Sequence, residues 1–428
     1  MNSNETSFLL YGLSQPVKIQ TTFGKRSLYN SVSFCNRCGS CSQACPVYRL
    51  NMLETDSPRG RNQAIRLSLE RKLKVTEPEL QRSFAACTLC GSCSQLCAAR
   101  LPTAHHVLTV QRTLHARKLP FGFYTLLALR GNHPSLFEKI VWVGLRLRPL
   151  WRLGAYGFGI KGLQGVYERL PKKIISLKNA FQNARIAAHE KTPQFIYLPS
   201  LEAEFLQPQI AVSSLRLISR RGKTTCWRNT ACGLFEYVYG DLRQSKRLLR
   251  RLIRKHLQLE QGNLPLVTDS LDMYHFLKQA EQLFAPYEQA AEQARRFAEK
   301  VQFITEFFPP DLKISSDVKL PVRLDLGALF CRQSDPQIQS ISLFKTLFKQ
   351  NFVECEYTDF DTPAFGYAFS AGNQNEPLML QVVKQIARKQ IKTVFTFSGL
   401  CALELNHALR RFYPAAEAQH IVSVADKL

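Results

Sequence analysis

Acidic residues are scarce in this 428-residue chain, with 33 Asp and Glu against 57 Lys and Arg, and the formal net charge is +24. Long apolar runs are missing too. No uninterrupted stretch of about 18 apolar residues occurs, which excludes a helix that crosses a bilayer. Met1 to Gly12 contains a Phe-Leu-Leu but no basic n-region, no sustained apolar h-region and no small-residue cleavage site. It does not read as a secretory signal, so the chain is expected in the cytoplasm, with any membrane contact peripheral. Also absent are a dinucleotide-binding glycine fingerprint after a strand, a Walker lysine loop and a nucleophile-base constellation. No substrate-converting site is expected.

The chain is too long for one ordinary core, and two or three domains are the natural expectation. Its positive charge is unevenly spread. Between Arg100 and Lys191 sixteen Lys and Arg face three Glu. Such a stretch calls for a polyanion: anionic lipid, an acidic protein surface or nucleic acid. No nucleic-acid motif accompanies the charge, which makes a nucleic-acid binder with structural clusters the weakest of the readings.

Cysteine is what the chain has in pattern. Eight of its 13 cysteines form two runs, Cys35-x2-Cys38-x2-Cys41-x3-Cys45-Pro46 and Cys87-x2-Cys90-x2-Cys93-x3-Cys97, and each cysteine of the first recurs 52 positions later. Structural zinc favours two separated pairs, and disulfides favour a secreted chain; neither suits this spacing or compartment. The spacing is that of the bacterial ferredoxin run, in which three thiolates hold one 4Fe-4S cluster and the fourth reaches the partner cluster. On that rule Cys35, Cys38, Cys41 and Cys97 hold one cluster, and Cys87, Cys90, Cys93 and Cys45 the other. Gly39 and Gly91 relieve crowding at the tight turns. Gly-Ser-Cys-Ser-Gln at 39–43 recurs at 91–95, the mark of an internal duplication.

Taken in order, residues 1–23 read as an unpatterned tail and 24–119 as an α-helical two-cluster ferredoxin domain. Ile65, Leu69 and Leu73 follow one helical stripe and Val107, Val110 and Leu114 another. His105 and His106 are expected to pack rather than ligate. The connector 120–191 mixes Phe121, Phe123, Tyr124, Trp142, Trp151, Tyr156 and Phe158 with Arg146, Arg148, Arg152 and Lys161. It suits either an interfacial helix or packing with solvated charge.

From Gln194 onward strands alternate with helices. Expected strands are Phe195–Leu198, Leu264–Thr268, Val322–Phe330 and Thr393–Phe397. Expected helices are Gln209–Arg220, Asp241–Leu257, Ser270–Phe284, Tyr287–Phe308, Leu343–Phe352, Pro377–Lys389 and Ala402–Phe412. The fold class is therefore α+β: the helical cluster domain followed by two related α/β modules with small parallel sheets, at 192–315 and 316–428. Val267-Thr268-Asp269-Ser270 resembles Phe395-Thr396-Phe397-Ser398 at an offset of 128, a second duplication.

The order of parts, with Cys-Pro-Val-Tyr at 45–48, Ser57-Pro58-Arg59-Gly60-Arg61 and Ala231-Cys232-Gly233-Leu234-Phe235 ahead of Gly240-Asp241, resembles the iron-sulfur subunit of glycolate oxidase. The iron-sulfur subunit of anaerobic glycerol-3-phosphate dehydrogenase, lactate-utilisation iron-sulfur proteins and heterodisulfide reductase subunits are similar. The resemblance implies electron transfer from a flavoprotein dehydrogenase toward quinone or another membrane acceptor. It also implies a cysteine-rich metal site in each C-terminal module, and here the sequence departs.

The first module has Leu201, Ala231-Cys232-Gly233 and Asp272 or Met273 where ligands would stand; the second has Cys331, Ala364-Phe365-Gly366 and Cys401. Three thiols over two modules cannot supply four corners within one. Cys226, Cys232, Cys331, Cys355 and Cys401 are accordingly expected to be small buried residues in a docking scaffold. Ala98 replaces the proline after Cys97 and removes no ligand. The expected function is an electron-relay subunit with two 4Fe-4S clusters and a flavoprotein partner, its basic patches docking an acidic flavoprotein or an anionic membrane surface. The alternative is a heterodisulfide reductase-like catalytic subunit with a cluster in the C-terminal modules.

Overall fold

The protein is described here by a computed structural model covering residues 19–21, 24–115, 128–147, 175–184, 186, 192–259, 262–284, 289–309, 312, 314, 318–327, 334–354 and 376–425. Part of the expected tail is paired. Strands β1 (Ile19–Thr21) and β2 (Gly24–Arg26) form an antiparallel hairpin with Ile19 opposite Arg26.

Seven helices follow: α1 (Leu28–Ser33), α2 (Ser40–Ala44), α3 (Pro46–Asn51), α4 (Pro58–Leu69), α5 (Pro78–Ala86), α6 (Ser92–Gln95) and α7 (Thr103–His115). Three of them, α3, α4 and α5, start on proline, whose fixed φ and missing N–H suit the first helical turn. Ile65 of α4 and Val107, Val110 and Leu114 of α7 are buried in one apolar cluster, with Leu69 and Leu73 at its edge. His106 is a packing residue. Its Nδ1 lies 2.9 Å from Asn62 Oδ1 and its Nε2 2.7 Å from the Ser31 hydroxyl, so a neutral ring that donates to the first and accepts from the second ties α1, α4 and α7 together.

Most of the connector lies outside the described residues, including Phe121, Phe123, Tyr124, Arg148, Trp151, Arg152, Tyr156, Phe158 and Lys161. What is described includes a short helical stretch at 128–132, α8 (Pro134–Arg146) and α9 (Leu177–Asn183).

The C-terminal half continues as β3 (Phe195–Leu198), α10 (Leu201–Phe205), α11 (Pro208–Ser219), β4 (Thr224–Cys226), α12 (Leu234–Tyr239), α13 (Leu242–Leu257), β5 (Leu266–Thr268), α14 (Leu271–Lys278), α15 (Gln289–Lys300) and β6 (Val301–Phe303). It then runs through β7 (Val322–Leu324), α16 (Asp335–Phe348), β8 (Phe352–Val353), α17 (Glu376–Arg388), β9 (Thr393–Thr396), α18 (Gly399–Phe412) and β10 (Glu417–His420). Two four-stranded sheets result, β4-β3-β5-β6 and β8-β7-β9-β10, and every pairing in them is parallel. Numbered in chain order within each sheet, both read 2-1-3-4. The modules thus share a topology as well as a short sequence repeat.

Several boundaries move. Phe297, Val301, Ile304 and Phe308 keep a helical spacing, yet α15 ends at Lys300 and Val301–Phe303 pairs with Leu266–Thr268 as an edge strand. Tertiary pairing overrides the local period there. The expected helix 270–284 closes as α14 at Lys278 and a short 3-10 turn over Ala280–Leu283. The helix expected from Leu343 begins at Asp335, where Ser334 and Gln337 form a capping box, and it stops at Phe348 so that Phe352 enters β8. Strand β7 is described only over Val322–Leu324, and the 328–330 end of the expected strand lies outside the described residues. Along α13 Leu248, Leu249, Leu252 and Ile253 are buried, whereas Leu242 and Leu257 are half-buried.

The cores are shared between these parts. One apolar cluster joins the cluster domain to the first sheet, and a second joins the two sheets through Tyr197, Phe303, Phe344 and Phe395. Arg112 of α7 fixes the first junction: its Nε donates to the Tyr237 carbonyl at 2.6 Å, and its guanidinium lies 3.7 Å from the Tyr237 ring centroid. Gly240, at φ 103°, passes so close that a Cβ would stand 2.8 Å from the Arg112 carbonyl oxygen.

Candidate metal centre

The two cysteine runs fold alike. In each, a left-handed residue precedes the second cysteine, Arg37 at φ 56° and Leu89 at φ 55°, and a left-handed glycine follows it, Gly39 at φ 88° and Gly91 at φ 74°. Such alternation coils the chain tightly enough to gather neighbouring thiols, at a steric cost that Leu89 bears without being glycine. Each glycine opens a short helix, α2 or α6, and the serine after it stands beside the second thiol. Ser40 Oγ is 3.5 Å from Cys38 Sγ, and Ser92 Oγ is 3.4 Å from Cys90 Sγ. Helices α2 and α6 pack against each other, so the duplicated turns face one another across the domain.

Tertiary packing crosses the fourth cysteines. Cys45, from the first run, lines a small pocket together with Cys87, Cys90 and Cys93 of the second, and Arg61, Leu89, Thr103 and Val107 are among the residues of its wall. Cys97, from the second run, stands near the first: after burial, the charges of Cys35, Cys97 and Cys38 are the strongest influences pushing the Cys41 thiol up to about 11. Burial also raises Cys45 and Cys93 and pushes Cys87 up to about 11, with Arg61 opposing it at Cys45 and Cys87. Cys38, exposed and hydrogen-bonded by Ser40, is lowered. Among the described residues no three His, Cys, Asp or Glu side chains close on a point as a single ion requires. The thiols of the cavity stand around a space instead, a donor set of sulfur alone that fits a multinuclear iron-sulfur group.

The segment Ser57-Pro58-Arg59-Gly60-Arg61 serves both sets. Ser57 caps α4 by accepting from Gly60 N at 2.9 Å, and Pro58 takes the first turn. Gly60 has no alternative: a Cβ would collide with the Glu54 carbonyl oxygen. Arg59 is clamped by Glu54 through bonds of 2.7 and 3.0 Å and lies across Gly39, where a Cβ would be 2.7 Å from its Nη1. Arg61 is buried. Its Nε donates to Ser83 O at 3.1 Å, its Nη1 approaches Cys45 Sγ at 3.9 Å, and its Nη2 is 3.7 Å from Asp56 Oδ1. Asp56 is in turn held by Asn51 Nδ2 at 2.7 Å. Of the two arginines in this segment, Arg61 is buried beside Cys45 and Arg59 pairs with Glu54 nearer the surface. Asp56, Asn51 and Ser83 carried no sequence signal, because only the folded chain brings them to Arg61.

In the C-terminal half the described cysteines Cys226, Cys232 and Cys401 are buried, and burial raises each thiol. Cys331 and Cys355 lie outside the described residues. Where the sheets meet, at the carboxyl ends of their central strands, stands a buried polar junction. Asp269 accepts from the Tyr197 hydroxyl and from Ser200 N, and burial pushes its carboxyl up to about 7. Across the junction Ser398 Oγ donates to Glu202 at 3.1 Å, Leu271 N to Phe397 O at 3.1 Å, and His420 Nε2 to the Asp269 carbonyl at 2.9 Å. These bonds join the modules and hold Glu202, next to Leu201, in place.

The 4Fe-4S dicluster domain family matches residues 31–101. Over 210 residues the chain is 26% identical to the glycolate oxidase iron-sulfur subunit of Escherichia coli strain K12, an alignment covering 47% of each chain. The chain thus aligns with about half the length of this curated relative. No solved structure gives a significant match. The chain thus carries a 4Fe-4S domain and is similar to that iron-sulfur subunit.

Proposed function

We propose, with the 4Fe-4S dicluster domain as premise, that this chain is an electron-relay subunit. It takes electrons from a flavin-dependent dehydrogenase of a 2-hydroxyacid such as glycolate or lactate, or of glycerol 3-phosphate, and passes them toward quinone or another membrane acceptor. Two 4Fe-4S clusters are its cofactors, one held by Cys35, Cys38, Cys41 and Cys97, the other by Cys87, Cys90, Cys93 and Cys45. The single observation that carries this reading is the cavity in which Cys45 joins the three cysteines of the other run. When bound, such clusters take up and release single electrons.

The chain's residues have holding and shielding roles. The duplicated turns present the thiols, Leu89, Thr103 and Val107 wall the cavity, and Arg61 brings a buried positive charge to the Cys45 side. Substrate chemistry belongs to the flavoprotein partner, as the name of the similar glycolate oxidase subunit supports. The C-terminal modules serve as the scaffold on which that partner docks.

The test is anaerobic purification followed by iron and sulfide analysis and electron paramagnetic resonance of the reduced protein. Iron should approach roughly eight per chain. Cys45→Ser should alter the same cluster signal as Cys90→Ser, and Cys97→Ser the same signal as Cys38→Ser. A colourless protein without stoichiometric iron and sulfide would refute the relay. Pairing of Cys45→Ser with Cys38→Ser would refute the crossed assignment.

A further inference from the structure

Helix α8 wears its apolar face outward. Its inner side is fastened to the first module: the Phe137 ring meets Phe205 edge-on with centroids 5.6 Å apart, and Glu138 accepts from Arg228 Nη2 at 3.2 Å and Asn229 Nδ2 at 2.6 Å. On the opposite side Leu136, Ile140, Val143 and the C-cap Leu147 are 40% to 55% exposed. At about 100° per residue these four fall within roughly 60° of each other, a single stripe. Lys139 and Arg146 are exposed along one flank of it, with Trp142 half-buried beside them. An ordinary surface helix buries such a stripe and exposes charge. Here the anchored side already has its partners, and the stripe faces out.

The residues just before α8 are tied to α13, the most basic of the described helices. Arg251 Nη1 donates to Gly131 O at 3.3 Å, and Arg247 donates to Asn132 Oδ1. Helix α13 has no Asp or Glu in its 16 residues, and its Arg243, Lys246, Arg247, Arg251 and Arg254 line an open groove with Gly131 and Asn132. The basic groove therefore reaches the segment that leads into α8 and its apolar stripe.

We propose that this face, α8 together with the outer side of α13, binds the surface of a bilayer rich in anionic phospholipid, with Leu136, Ile140, Val143 and Leu147 in the acyl boundary and the α13 cations on lipid phosphates. Charge complementarity selects an anion, and the stripe selects one that also offers hydrocarbon in the same plane. A nucleic acid offers phosphate but no apolar surface to four aliphatic side chains. At 13 residues α8 is too short to cross a bilayer, and no described helix is long and apolar enough to do so, so the binding is interfacial. The inference deepens the reading of a membrane-side electron acceptor, and its assay does not depend on that reading.

Flotation of the full anaerobically purified chain with vesicles decides it, using phosphatidylcholine alone and phosphatidylcholine mixed with equal phosphatidylglycerol. The chain should float with the mixed vesicles, float weakly with the neutral ones, and bind less as salt rises. Val143→Glu should reduce partitioning at least about tenfold at low salt, since it buries a charge in the acyl boundary. Neutralising Arg243, Lys246 and Arg254 to Gln together should reduce it on the order of a hundredfold, at roughly fivefold per charge. Unchanged visible absorbance shows that each variant is folded and loaded. No flotation with anionic vesicles overturns the proposal. So does flotation that Val143→Glu leaves unchanged, which would indicate charge-driven binding suited to an acidic protein. A chain that floats but lacks iron-sulfur absorbance sustains the surface and refutes the relay instead.

Discussion

Arg61→Gln removes a buried cation whose Nη1 stands 3.9 Å from Cys45 Sγ. Two unit charges about 4 Å apart at an effective dielectric near 20 interact by about 4 kcal/mol. Two things reduce that figure for an electron entering a cluster at Cys45. Asp56 sits 3.7 Å from the same guanidinium and offsets part of its field, and the added charge spreads over the whole cluster. About 1.4 kcal/mol remains, a tenfold change in the one-electron equilibrium or about 59 mV. The positive charge favours the more negative, reduced form, so its loss should lower one midpoint potential by that order and leave the other in place. The assay is a potentiometric titration followed by electron paramagnetic resonance, with Arg59→Gln as a control at the exposed Glu54 pair. Removing one partner of a buried pair also costs about 3–5 kcal/mol of stability, so iron content is measured alongside. Two unmoved potentials in a fully loaded variant, or a shift confined to the cluster on the Cys41 side, would refute the argument.

Gly60→Ala should destabilise the loaded protein by about 1–3 kcal/mol in anaerobic denaturation, because the Glu54 carbonyl must yield; an unchanged midpoint would contradict the packing. Burial pushes Asp269 and Glu204 each up to about 7, above the ordinary carboxylate range near 4. The folded state then holds protons that the unfolded chain releases. Their contribution to stability is full below about pH 4 and is lost as pH rises through about 7, at up to about 1.4 kcal/mol per unit for each group. His106 and His420, lowered by burial to about 3 and about 4, act with the opposite sign at acid pH, so the difference between wild type and Asp269→Asn is what should be read. The variant should lose less stability between about pH 5 and 7, and parallel curves would refute the burial argument. Cys232→Ser and Cys401→Ser together should leave iron content and electron transfer unchanged, and a loss of iron would restore the reading with a cluster in the C-terminal modules.

Sequence alone determined the parts that depend on local spacing. The duplicated cysteine runs follow from residues within a single turn of each other, and Gly39 and Gly91 repeat at 52 residues because the same backbone turn is built twice. The central strands β3, β5, β7 and β9 were legible as short, mostly apolar runs, as strands covered on both faces are, with Arg323 of β7 their one charged residue. The edge strands β4, β6, β8 and β10 were not. Thr224–Cys226 and Glu417–His420 are short or polar, and Val301–Phe303 continues a helical period, so only pairing with a neighbour makes them strands.

Tertiary structure decided which thiols meet, since Cys45 and Cys87 are separated by helices α3, α4 and α5 and are joined by a wall that includes Arg61 and Val107. It also separated the two arginines of one pentapeptide, leaving Arg59 at the surface on Glu54 and Arg61 buried on Asp56. Composition made the connector amphipathic either way, but the anchoring of Phe137 and Glu138 turned the apolar side of α8 toward solvent. Spacing is a local quantity and can be read along the chain; burial and charge pairing depend on which distant segments fold against it.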